Sequence, residues 1–147
     1  MMGILRTALI LGLAGVLPFF AAGLLAQFAE SREVQQLAHA TLSLYGVMIL
    51  GFMSGCIWAF AAKDNDPMGY ALSTVPALFG FMVPIFPVYF GLIEPKEALF
   101  YLAAGFLVLL GLDLRAWRKG QTPPWWVWLR VLLTALVVPS ILLGAFA

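Results

Sequence analysis

Residues 42–62 read Leu-Ser-Leu-Tyr-Gly-Val-Met-Ile-Leu-Gly-Phe-Met-Ser-Gly-Cys-Ile-Trp-Ala-Phe-Ala-Ala, without a single charge. At a rise of about 1.5 Å per residue, roughly twenty such residues cross a hydrocarbon core about 30 Å thick. The stretch reads as a transmembrane helix. Gly51, Gly55, Ala59 and Ala62 recur along it at helical spacing. Small residues so placed form a face on which a second helix backbone approaches closely.

The rest of the chain has the same character. Of 147 residues, 63% are hydrophobic and 10% charged, against about 25% charged in a soluble domain. Such a surface must face lipid, so the composition points to a single-domain, all-α integral membrane protein. Cys56 is the sole cysteine, which rules out an internal disulfide and reads as a small apolar residue.

Five spans follow in order, at about 7–27, 42–62, 70–92, 98–113 and 127–146. The first carries Gly12 and Gly15 as a second packing face and Pro18 as a kink. Between it and the second span, Glu30 to His39 has the spacing of a short interfacial amphipathic helix, with Val34, Leu37 and Ala38 toward lipid. His39 reads there as a solvated or capping residue. Lys63-Asp64-Asn65-Asp66-Pro67 is a turn; it lacks the length and final Glu of a calcium loop.

The third span holds Pro76, Pro84 and Pro87. It reads as a kinked helix, or as one that stops near Met82 and resumes, although broken helices also build transport sites. Glu94-Pro95-Lys96-Glu97 opens the fourth span with Pro95 and Glu97 in a helical first turn. The fourth span ends on Asp113. The connection after it carries Arg115, Trp117, Arg118, Lys119, Trp125, Trp126 and Trp128. Cations interleaved with indoles are what a headgroup layer selects, so these read as interface anchors against anionic lipid rather than as a nucleic-acid surface. Arg6, Lys63, Arg115, Arg118, Lys119 and Arg130 fall on one side of the membrane, Arg32 and Lys96 on the other. The positive-inside rule then puts the N-terminus inside and the C-terminus outside.

Several strings together resemble the transmembrane protein 69-like family, small bacterial and mitochondrial membrane proteins grouped as a domain of unknown function. These are Leu11-Gly12-Leu13-Ala14-Gly15-Val16-Leu17-Pro18-Phe19, then Tyr45-Gly46, Ile49-Leu50, Phe52, Gly55 and Trp58, then Pro76. Asp113, Trp126, Leu129-Arg130 and Leu133-Thr134 complete the series. Ser54 and Cys56 depart from the pattern, where Gly and another small or apolar residue are expected. The resemblance implies a fold and a membrane location, in the bacterial inner membrane or, in a eukaryote, the mitochondrial inner membrane. It implies no reaction.

Chemistry concentrates on Asp113 and Arg130. Helices four and five as antiparallel neighbours bring both near the inner interface, where Arg130 pairs with Asp113 and Tyr45 or Thr134 adds a hydrogen bond. Such a pair fixes helix register. The alternative is a proton or cation site at Asp113, facing a water cavity. An enzyme is not expected: His39 lies on the far side from Asp113, and no glycine-rich phosphate cradle is present. No metal-ligand spacing and no haem-ligating histidine within a span occur either, so neither cofactor nor metal is expected. Two functions stay open. One is a non-catalytic accessory or assembly component of a larger membrane complex, meeting partner proteins or a second copy through its small-residue faces. The other is a small oligomeric proton or ion transporter or channel.

Overall fold

The computed structural model describes residues 5–147, and every regular element among them is helical. α1 spans Arg6–Gln27, α2 Arg32–Asp64, α3 Pro67–Gly80, α4 Phe86–Tyr89, α5 Pro95–Arg118 and α6 Trp126–Ala145. A π-helical turn, Phe81–Ile85, joins α3 to α4, so Pro67–Tyr89 forms one continuous span. Five helices are thus long and apolar enough to cross a membrane. The chain is a polytopic all-α integral membrane protein.

Local chemistry sets the boundaries. Ser31 caps α2 by accepting from the Val34 amide at 3.3 Å. Asn65 closes α2 in the left-handed region at φ 51°, and the Asp66 amide reaches back to the Ala61 carbonyl at 3.0 Å. α5 opens on a capping box between Glu94 and Glu97, with Pro95 at its first position. It closes at Gly120, whose φ of 70° suits glycine.

One reading of the chain changes here, and one open alternative is decided. The polar stretch Glu30 to His39 is no separate interfacial helix: from Arg32 onward it is the first part of α2, which runs 33 residues without a break. The Ser31 cap starts the helix there, and no Pro or Gly stops it before the apolar run. In the third span, Pro84 has no amide to donate, and the turn absorbs this by widening: the Phe86 amide bonds the Phe81 carbonyl, five residues back.

The helices form a ring in which α1 packs on α6, α6 on α5, α5 on α3, α3 on α2, and α2 on α1. α2 and α5 also touch across it. The core is carried by Phe19, Leu42, Leu50, Leu99, Leu102, Phe106 and Ile141, all almost wholly buried. Phe19 meets Phe106 edge-on at 5.7 Å between centroids and tilts against Tyr45 at 4.7 Å.

The stripe at Gly51 and Gly55 does not pack. A Cβ added at either meets nothing within 4 Å, and Ala59 and Ala62 beside them are exposed. α2 instead buries the adjoining face, Leu50, Met53, Ile57 and Ala61. Close helix approach occurs elsewhere. Gly12 lies under Leu133, where a Cβ would stand 2.9 Å from its methyl, and at Gly23 a Cβ would stand 2.6 Å from the Ser140 carbonyl. Gly46 lies directly against Leu102, and Gly144 against Leu42. Gly15 has Tyr45 as its nearest neighbour at 3.8 Å.

Gly23→Ala drives a methyl into backbone and is expected to destabilise the α1–α6 contact by about 1–3 kcal/mol. Gly51→Ala, whose methyl enters open space within a helix, is expected to be neutral or stabilising by up to about 1 kcal/mol. Thermal melting of both variants in mild detergent checks this, and equal losses would refute the assignment of faces.

Candidate functional site: a buried ionic centre

At the end of the bundle where α5 stops and α6 starts, an acidic residue is held entirely inside protein. Asp113 has 0% of its surface exposed. Its Oδ2 accepts from Arg130 Nε at 2.8 Å, and its Oδ1 accepts from Trp126 Nε1 at 2.7 Å. Trp126 and Arg130 stand four residues apart on α6, so one helical turn aims both donors at the same carboxylate. The local chain makes this possible. Gly120 turns the backbone out of α5, and the Trp126 amide closes on the Pro123 carbonyl at 3.0 Å to start α6. Phe60 buttresses the indole edge-on, 4.9 Å between centroids.

The sequence puts Asp113 and Arg130 together, and the structure has them paired. Its partners beyond Arg130 differ from expectation. The Tyr45 hydroxyl donates to the Gly15 carbonyl at 2.9 Å instead, tying α2 to α1. Thr134 is 4% exposed and its hydroxyl has no partner among the described residues. Trp126 takes the role given to them: it is turned inward as a donor, not outward as an anchor. Trp117, Arg118 and Trp128 are exposed around this end, as headgroup anchors require, and Trp125 is half-buried.

A second acidic centre lies close by and escapes a reading of local pattern. Asp66, in the turn between α2 and α3, is 7% exposed. Its Oδ2 accepts from Arg115 Nη1 at 3.0 Å, Gln121 Nε2 at 3.1 Å and Lys119 Nζ at 3.2 Å. Arg115 Nη2 adds a contact to Oδ1 at 3.4 Å. Arg115 and Lys119 therefore serve this carboxylate rather than lipid phosphates alone, which corrects their reading as anchors. Gly69 leaves room for it, since a Cβ there would stand 2.7 Å from Asp66 Oδ2. The Arg115 hydrogen bond, followed by that of Gln121, holds the Asp66 carboxyl well below the usual range, against the opposing effect of desolvation.

The last turns of α5 thus point Asp113 at α6 and Arg115 with Lys119 at the α2–α3 turn. Among the described residues no three His, Cys, Asp or Glu side chains gather as a metal site. Cys56 is half-buried and free. His39, at the opposite end, is buried and its Nε2 lies 2.9 Å from the Gly144 carbonyl, at the C-terminal end of α6.

A family model described as "Protein of unknown function (DUF3429)" matches residues 4–146. Transmembrane protein 69 of Xenopus tropicalis is 33% identical over 141 residues, covering 92% of this chain and 52% of that protein. The chain therefore spans about half the length of that relative. No solved structure matches.

Removing one partner of a buried ion pair costs about 3–5 kcal/mol, mainly because the other charge is stranded. Asp113→Ala is expected to lose that much, and adding Arg130→Met to recover most of it. Detergent melts of the single and double variants decide, and equal damage in both would sink the stranded-charge account. For Asp66 the native pKa is depressed, so its contribution is complete above the ordinary Asp value near 4 and is lost as pH falls toward the native pKa. Between pH 5 and pH 2.5 the wild type is expected to lose more melting temperature than Asp66→Asn does. Parallel pH profiles would contradict this.

Proposed function

The chain belongs to the DUF3429 family, and we propose that it is a non-catalytic component, accessory or assembly, of a larger membrane complex. The observation that carries this reading is the state of Asp113. A transport site needs a carboxylate that water or a cation reaches. Asp113 is wholly buried, and each oxygen is already held by a donor of the same chain. A cleft between α1, α2 and α6 reaches Arg130 and Trp126 without reaching Asp113. The pair acts as a register lock.

The outward stripe on α2 supports the same reading. Gly51, Gly55, Ala59 and Ala62 are exposed, and a stripe unused within the bundle suits a partner helix or a second copy. The proposed setting is the bacterial inner membrane or the mitochondrial inner membrane, with the end bearing Lys63 and Arg118 on the inner side against anionic headgroups. No role in binding nucleic acid or a metal is proposed.

Purification of the tagged chain from native membranes in mild detergent, followed by intact-complex mass, tests the proposal. A fixed stoichiometric protein partner is the expected result. A lone chain or homo-oligomer that conducts protons or ions in liposomes, with loss of flux in Asp113→Asn, would overturn it.

A further inference from the structure

The cleft between α1, α2 and α6 has a volume of about 410 Å³ and reaches only half-way through the bundle. It runs from Ala8 to Phe19 on α1 and from Trp126 to Val137 on α6. At about 1.5 Å per residue each wall is about 16 Å long, one leaflet's share of a hydrocarbon core about 30 Å thick. Phe19 and Phe106 line its deep end and meet edge-on. Past that point the helices are closed. The Tyr45 hydroxyl donates to the Gly15 carbonyl at 2.9 Å, Gln35 Nε2 to the Ala26 carbonyl at 3.3 Å, and Gly23 lies against the Ser140 carbonyl. Below it, Gly15 leaves the α1 wall open: a Cβ there would meet only the Tyr45 hydroxyl, at 3.8 Å.

This shape selects the occupant. A partner's spanning helix needs an open face through the whole bilayer, and this one stops at Phe19. A polar solute finds little to bind. Arg130, Thr134 and Trp126 reach the wall, but Arg130 Nη2 and Thr134 Oγ1 are buried and Trp126 Nε1 is given to Asp113. Leu11 and Phe52 on the rim are exposed, so the cleft opens sideways on acyl chains. Its mouth carries a cation. Gly12 faces Leu133 and Gly23 faces Ser140, so α1 and α6 run parallel, and exposed Arg6 lies level with the start of α6. A headgroup phosphate is attracted there.

We propose that the cleft holds one acyl chain of a phospholipid from the leaflet at the Asp113 end, its phosphate beside Arg6. The chain fills the gap that α1 leaves against α2 and α6, and so belongs to the bundle rather than to the lipid around it. This assignment is independent of the proposed role in a complex.

The test places the full chain in phosphatidylcholine vesicles that contain phosphatidylglycerol with a photoactivatable diazirine midway along one acyl chain. Crosslinks are mapped by peptide mass spectrometry. Val16, Met53 and Cys56 line the cleft and are buried or half-buried, so label on them reports a chain inside it. Exposed Leu78 on α3 and Val108 on α5 report the surrounding lipid. Label at the cleft residues is expected to match or exceed that at the exposed pair. Gly15→Leu and Cys56→Leu, which fill the cleft from two different helices, should each reduce label at Val16 and Met53 to background. Gly51→Leu adds the same bulk to an open face and should leave it unchanged. Arg6→Gln should lower it roughly fivefold, the effect of one cation at the headgroup layer. Label confined to Leu78 and Val108 would make lipid a solvent only and overturn the proposal. Cleft label that survives both fillers, falls equally in Gly51→Leu, or is unchanged in Arg6→Gln would also overturn it.

Discussion

A charge taken into hydrocarbon must be matched where it stands, and this requirement governs the bundle. Asp113 meets it with two donors one turn apart on α6. That geometry holds only if α6 lies against α5 at one rotation and one height, so the pair sets the register of two helices whose shared core is otherwise apolar. The connection between them is cut to match. Asp66 extends the same logic outward, binding the start of α3 to the last turn of α5 and the loop beyond it. The opposite end is held differently. There the terminal carbonyls of α6, orphaned as in any helix, are met by side chains: Gln27 Nε2 donates to Leu143 at 2.7 Å, and His39 lies 2.9 Å from the Gly144 carbonyl. Ionic contacts close one end of the ring and neutral ones the other.

The spans were legible because a hydrocarbon core imposes a minimum apolar length that few other pressures imitate. Asp113 and Arg130 were legible because charges at the edge of a span are scarce enough to seek each other. The partners were not. Tyr45 and Trp126 are both plausible donors by type, and only the angular phase of α2 and α6 around the bundle decides that one faces Gly15 and the other Asp113. Trp126 was further disguised by its company, since four indoles beside basic residues read collectively as a headgroup belt. Asp66 looked like an ordinary turn residue because its partners lie 49 to 55 positions away.

The stripe on α2 shows a different limit. Gly51 and Gly55 permit a close approach, but a helix has one inner face, and Leu50, Met53 and Ile57 already occupy it about 100° round from Gly51. The glycines on which a neighbouring helix closes are scattered along the chain, those at 12, 23, 46, 69 and 144 among them. Spacing along one chain reveals permission for contact. The opposing helix decides where it is used.

Proline interrupts α1 at Pro18, the third span at Pro76 and Pro84, and α6 at Pro139. α2 has no interior proline, and in α5 the residue stands only at the first position. These two also pack on each other across the ring. α2 alone, at 33 residues, is about 50 Å long, well beyond the thickness of the hydrocarbon. It is a stiff rod with one end at Arg32 and the other seated beside the Asp66 clamp. A load applied at one membrane face would be delivered to the other along a rod with no hinge, while the proline-bearing helices around it yield.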